Sequence, residues 1–236
     1  MELQGHEEVT FARRVAMAEK WTSASAAERQ NGSARVAAAF HARARLHLLA
    51  GAESNDGDKA EAARRLAVLD LPDFAAIAAG LAAGPVRSEQ LGSAGGEPFE
   101  SIASEGGVLV GFDLSHGKLG RDQVLISVEP IYLAPAGLVA GGVSREGANN
   151  VEVRAKPGYA VGTIHVRAGS LVDGMQIVFM RIHGDHLDPA DSYTSEWLGG
   201  LGGAYRRKLG GDGKPVIGIF GRHGQAVDAV GILQLP

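Results

Sequence analysis

Three stretches of the sequence carry side chains able to do chemistry. The densest is His183-Gly-Asp185-His186-Leu-Asp188, with Asp191 just beyond. Its imidazoles and carboxylates are the donor types of a calcium or other divalent-cation site, although the same residues also make an ordinary polar turn. The second is Ser192-Tyr-Thr-Ser-Glu-Trp197, which runs into Leu-Gly-Gly-Leu-Gly-Gly203. Tyr193 and Trp197 offer flat faces on which a ring can stack, and core packing is the competing role for Trp197. The third is Gly224-Gln-Ala-Val-Asp228, held between two apolar stretches. Asp228 either faces outward as an acceptor or closes a turn by accepting backbone N–H groups. No Gly-x-Ser-x-Gly elbow is present, and nothing places a base against Ser195. The run Gly199–Gly203 is followed by neither Gly-Lys-Ser/Thr nor a helix pattern, so it is no phosphate loop. No catalytic residue is assigned, and the chain reads as a non-enzyme.

Composition narrows the classes further. The 236 residues carry a net charge of −4, which offers no bulk attraction to nucleic acid or to an anionic membrane surface. Cysteine is absent, which excludes disulfides, thiolate chemistry and cysteine-ligated metals. No apolar run is long enough to span a bilayer. The start, Met1-Glu-Leu-Gln-Gly-His-Glu-Glu, has no apolar core of a signal peptide, so a cytoplasmic location is the expectation.

The elements that position these residues are read from glycine and alanine. Glycine is about twice as frequent as usual, and 28 of the 34 glycines lie in residues 92–236. Alanine runs the other way, with 24 in residues 1–91 and 13 beyond. Two regimes follow: a helical segment over residues 1–87 and a β region over 92–236. In the first, Thr10 caps a helix over Ala12–Trp21, and Ser33 caps a second from Ala34 to Leu49 that Gly51 ends. Its apolar stripe is Val36, Phe40, Ala44 and Leu48. Asn55-Asp-Gly57 is a turn, and further helices cover Lys59–Leu69 and Asp73–Ala83. In the second, strands are expected over 107–114, 123–133, 150–155, 159–166, 175–182, 204–209, 215–220 and 226–235, a closed all-β pattern. Gly111, Gly162 and Gly218 each interrupt an apolar strand, 51 and 56 residues apart. A glycine inside a strand marks a bend or a close approach, and three at near-equal spacing suggest three similar β units about a pseudo-threefold axis.

Three segments carry a family resemblance. They are Gly92-Ser-Ala-Gly95-Gly96-Glu-Pro-Phe99; Gly107-Val-Leu-Val-Gly-Phe112 with Ile126-Ser-Val-Glu-Pro-Ile-Tyr132; and the closing Pro215–Leu233, which contains Gly224-x-x-x-Asp228. Together they resemble the jacalin-related lectins over residues 92–236. The resemblance implies an α+β chain: a short helical N-terminal segment, then a jacalin-like β-prism of three Greek-key sheets. It also implies metal-independent carbohydrate binding without a cofactor.

The chemistry suits such a ligand. An ionised Asp228 can accept two sugar hydroxyls in charge-assisted hydrogen bonds. Backbone N–H groups of Gln225 and Ala226 can donate to the same oxygens, and Gly224 lets the backbone come close. By resemblance, Gly95 and Gly96 form the opposing wall. One departure stands out: Gln225, Ala226 and Val227 supply no aromatic ring to stack on a sugar. The leading expectation is a lectin-like protein whose partner is a mono- or oligosaccharide. One alternative is a prism that has lost sugar affinity and contacts a protein, through the N-terminal helices or the Tyr193–Trp197 loop. The other is a metal-dependent site at His183, Asp185, His186 and Asp188.

Overall fold

The computed structural model describes residues 10–31, 34–53, 58–143 and 149–236. They form two compact units that divide after Leu71.

In the first unit the alanine-rich sequence forms three helices: α1 (Phe11–Gln30), α2 (Ala34–Ala52) and α3 (Lys59–Leu69). Thr10 caps α1, its Oγ1 accepting the Arg13 N–H at 3.4 Å. The helix runs nine residues beyond Trp21, because Ser, Ala, Glu and Arg continue it without a breaker. Gly51 does not end α2 but lies inside it. A Cβ there would come 3.1 Å from the Phe11 ring, so glycine lets the two helices approach. The buried core is Ala18, Ala44 and Leu48, with Val15, Trp21, Leu66 and Leu69 packed against it. Val36, the expected first member of the α2 stripe, is exposed instead. The caps and turns expected at Ser33 and Asn55–Gly57 lie outside the described residues.

The second unit opens with α4 (Phe74–Ala82), capped by Asp73, whose carboxylate accepts the Ala76 N–H at 3.1 Å. This helix, grouped in the sequence with the helical segment, belongs to the same unit as the strands. Ile77 is fully buried in a cluster with Val108, Val110, Ile182, Leu233 and Leu235. Gly106, at φ +75°, passes so close to the Phe74 carbonyl that a Cβ would collide with it.

Fourteen strands follow: β1 (Val86–Arg87), β2 (Leu91–Gly92), β3 (Glu97–Ile102), β4 (Val108–Leu119), β5 (Asp122–Ala134), β6 (Gly137–Ala140), β7 (Asn150–Arg154), β8 (Tyr159–Ala168), β9 (Val172–His183), β10 (His186–Thr194), β11 (Leu198–Gly199), β12 (Tyr205–Gly210), β13 (Val216–His223) and β14 (Val227–Gln234). They form three antiparallel sheets, each built around one long hairpin: β4–β5, β8–β9 and β13–β14. A further strand pairs on either side: β7 and β6, β12 and β10, β3 and β1. The short β11 and β2 pair with β9 and β14.

The three glycines inside strands now have a cause. The hairpin registers shift between Leu109 and Gly111, Val161 and Thr163, and Val216 and Gly218. Gly111, Gly162 and Gly218 therefore all sit at β-bulges, where a strand must bend sharply. A second shift recurs near each hairpin turn, at Ser115/His116, Arg167/Ala168 and Arg222/His223. Inward-facing residues of all three sheets meet in one core, among them Phe112, Leu125, Ile164, Ile177, Ile219 and Ile232. Among the described residues no helix is long and apolar enough to cross a membrane.

Candidate functional site

The β13–β14 ladder ends at the pair His223–Val227. Gly224, Gln225 and Ala226 make the turn, closed by the Gly224 N–H donating to the Ala226 carbonyl at 3.0 Å. Asp228 is thus one residue into β14. Beside it, Gly92 of β2 pairs with Ala229, and the Ser93 N–H donates to the Asp228 carbonyl at 2.9 Å. At φ +128°, Gly92 lies so close to that carbonyl that no side chain fits.

From Gly92 the chain crosses over the Asp228 carboxylate. A Cβ on Gly95 would lie 2.5 Å from Oδ1, and one on Gly96 would collide with Oδ2. A Cβ on Gly224 would lie 3.1 Å from Oδ2. The carboxylate is therefore enclosed by three residues without side chains, from opposite ends of the second unit. Asp228 is half-buried, and its Oδ2 is buried with no hydrogen-bond partner among the described residues. An unpaired buried acceptor costs about 1–3 kcal/mol, which an incoming hydroxyl relieves.

Two further side chains position the loop, and both escaped the sequence reading. Arg222 donates through Nε to the Gly95 carbonyl at 2.7 Å and through a terminal nitrogen to the Gly96 carbonyl at 2.6 Å. Tyr205 accepts the Gly92 N–H at its hydroxyl, 3.2 Å away. Arg222 had a local signal, since it precedes Gly224 by two residues. Tyr205 had none, because the pairing spans 113 residues. His223 anchors the turn to the neighbouring sheet, its Nε2 lying 2.8 Å from the Ile126 carbonyl. Of the three residues between Gly224 and Asp228, only Gln225 is exposed; Ala226 and Val227 belong to the core.

The other candidates lie in different surroundings. Tyr193 stands on β10, its ring centroid 5.0 Å from that of Tyr159 and 5.1 Å from that of Phe179, against the core. Its hydroxyl accepts the Lys156 N–H at 2.6 Å. Trp197 is partly buried; its indole N–H donates to the Gly200 carbonyl at 2.8 Å, and Arg206 lies over its ring. The His183–Asp188 segment is not a loop but the end of β9, a tight turn and the start of β10, with His183 pairing His186. Buried His183 lies 3.7 Å from Asp188, whereas His186 hydrogen-bonds Asp185 at 2.9 Å. The four side chains thus form two pairs, and no group of three or more potential ligands is gathered among the described residues. Burial lowers the His183 pKa, against the opposing pull of Asp188.

Solved structures share this arrangement of sheets. Artocarpin, in its complex with methyl-α-mannose, superposes with a TM-score of 0.51 at 17% identity, over 64% of this chain and 98% of that one. Frutapin, a lectin from Artocarpus incisa, also gives 0.51, at 16% identity over 64% and 97%. A mannose-specific jacalin-related lectin from Morus nigra, in complex with mannose, gives 0.50 at 16% identity over 64% and 95%. The fold is the β-prism of the jacalin-related lectins. The remainder of this chain, including the helical unit, lies outside that likeness. No protein-family model matches the sequence, and no curated protein sequence matches it either.

Proposed function

We propose that residues 72–236 are a non-catalytic carbohydrate-binding module in which Asp228 accepts sugar hydroxyls against the wall formed by Gly95 and Gly96. The observation that carries this reading is the glycine enclosure around a carboxylate whose Oδ2 has no partner among the described residues. A sugar ring needs close backbone approach and charged acceptors for its hydroxyls, and this enclosure supplies both. Gly224, Gln225 and Ala226 form the turn side of the site, and Arg222 fixes the opposite side. Tyr205 holds the start of the glycine loop through its hydroxyl, which accepts the Gly92 N–H. The fold likeness to lectins whose structures hold mannose or methyl-α-mannose supports a hexose as ligand.

The test is a glycan array probed with the whole chain, followed by competition with free methyl α-mannoside. Binding to hexose-terminated glycans, displaced by the free sugar, is the expected result. Retention on no glycan, or retention unaffected by any free sugar, overturns the proposal.

A further inference from the structure

The outer face of the sheet that contains β12, β8 and β9 gathers cations. Ile164, Val166, Ala168 and Leu209 turn into the core, so the alternate residues of β8 and β12 point outward. The ladder sets Arg206 directly opposite Arg167, and Lys208 directly opposite His165. Four basic side chains therefore stand in two adjacent cross-strand pairs on one surface. On the other side of β8, Gln176 is opposite His165 and Gly174 opposite Arg167. The Trp197 indole takes the place of the side chain that Gly174 lacks: a Cβ there would lie 2.7 Å from its Nε1.

The two guanidinium groups are held in place. Arg206 reaches across β8, where a terminal nitrogen donates to Gln176 Oε1 at 2.9 Å. Its guanidinium carbon stands 5.3 Å from the centroid of the Trp197 ring. Gln176 is fixed in turn, its Nε2 donating to the Ser195 carbonyl at 3.1 Å. Arg167 donates through Nε to the Gly202 carbonyl at 2.8 Å. Among the described residues these bonds leave both terminal nitrogens of Arg167 and one of Arg206 without an acceptor. His165 is half-buried beside them; burial, then the charges of Arg206 and Lys208, lowers its pKa.

Like charges directly opposite one another on a sheet face destabilise it. Charge on an exposed edge strand keeps it from pairing with another chain, which accounts for Arg206-Arg207-Lys208 on β12. It does not account for the basic residues opposite them on β8, a central strand. Arg207, on the other side of β12, has Glu89 at 3.9 Å. Among the described residues Arg167, Arg206 and Lys208 have no carboxylate within ion-pair distance. The missing negative charge is left for a ligand to supply. We infer that Arg167, Arg206, Lys208 and His165 form a binding site for the phosphate group of a phosphate ester.

The chemistry fits that group better than a carboxylate. A phosphate monoester brings three acceptor oxygens and close to two negative charges, which balance the two guanidinium groups. Guanidinium forks take phosphate oxygens two at a time, and Lys208 adds a point charge at the far end. Trp197 borders the site on the β9 side and gives the organic part of the ester an aromatic neighbour. The site lies on a sheet face and shares no residue with the turn around Asp228, so it does not depend on the sugar-binding reading.

The experiment is a titration of the isotope-labelled full chain with inorganic phosphate, followed by NMR of the arginine side-chain and Trp197 indole N–H groups. Saturable shifts at Arg167, Arg206 and Trp197 are expected, with none from sodium chloride at equal ionic strength. Arg167→Gln and Arg206→Gln should each weaken binding roughly tenfold or more, and Arg206→Lys, which keeps the charge but not the fork, should fall between. Both glutamine variants relieve opposed charges, so neither should lower Tm, and phosphate should raise the Tm of the wild type but not of Arg206→Gln. Two further arms distinguish the source of the phosphate. Saturable shifts with glycerol phosphate point to a soluble ester. Sedimentation with phosphatidic acid vesicles but not phosphatidylcholine vesicles, lost in Arg206→Gln, points to a lipid headgroup. Either result supports the site. Methyl α-mannoside should leave these signals unmoved, which keeps this test separate from that of the sugar site. Shifts that chloride reproduces, an adventitious ion only, overturn the inference, as do the absence of shifts with phosphate or binding undiminished in both glutamine variants.

Discussion

Gly95 and Gly96 are neighbours, yet the structure gives alanine at the two positions opposite consequences. A Cβ on Gly95 meets only flexible or polar side-chain ends, Asp228 Oδ1 at 2.5 Å and Ser93 Oγ at 3.5 Å. The Asp228 carboxylate can rotate away, so the fold should lose little, within about 0.5 kcal/mol. Its rotation removes the two charge-assisted acceptors from the sugar. Such bonds contribute about 1.5–3 kcal/mol each, so affinity should fall by roughly a hundredfold or more. A Cβ on Gly96 meets backbone: the His223 carbonyl carbon at 2.5 Å and the Gly224 nitrogen at 2.7 Å. Gly96 also has φ +65°, which costs an L side chain roughly 1–2 kcal/mol before any clash is counted. For a unit of this size that corresponds to a loss of at least about 2–8 °C in Tm. Thermal unfolding beside sugar titration separates the two effects. Gly95→Ala should unfold like the wild type but bind weakly, and Gly96→Ala should fail at both. Undiminished affinity in Gly95→Ala, or equal destabilisation by both substitutions, would refute the enclosure as the binding element.

Other perturbations follow from the same geometry. Arg222→Met removes both donors to the glycine loop; affinity should drop roughly tenfold with little change in Tm, and unchanged affinity would show that the loop holds itself. Ile77→Ala empties a fully buried position on α4 and should cost about 2–5 kcal/mol, measured by denaturant unfolding of the full chain. Burial lowers the His183 pKa, so the unfolded chain takes up this proton at a higher pH than the folded one. Stability from neutral His183 is present above the ordinary histidine value and is lost as pH falls below it towards the lowered folded value. Denaturant unfolding across that interval should show a decline that is shallower in His183→Gln; identical slopes would contradict the assignment.

The sequence revealed the fold where local physics decides and concealed it where distant partners do. The hairpin strands are largely apolar runs, one strand of each hairpin bent at an internal glycine, and they stand close to where they were expected. β3 and β10 were missed because Glu97-Pro-Phe-Glu-Ser-Ile102 and His186–Thr194 are largely exposed strands, rich in charge and carrying proline, and such stretches look like loops. Gly51 looked like a helix end because glycine usually is one; its reason lies in Phe11, forty residues away. In the site, Gly224 and Asp228 were legible as a turn with an acceptor. The loop that faces them is joined only by topology, since β2 and β3 pair with the last hairpin.

The most direct test of the central claim is calorimetric titration of methyl α-mannoside into the full chain and into Asp228→Ala. Measurable binding that Asp228→Ala abolishes, with the folded state intact by circular dichroism, is the predicted result. Equal binding by the two chains would contradict it, because the hydroxyls would then be held somewhere other than at Asp228.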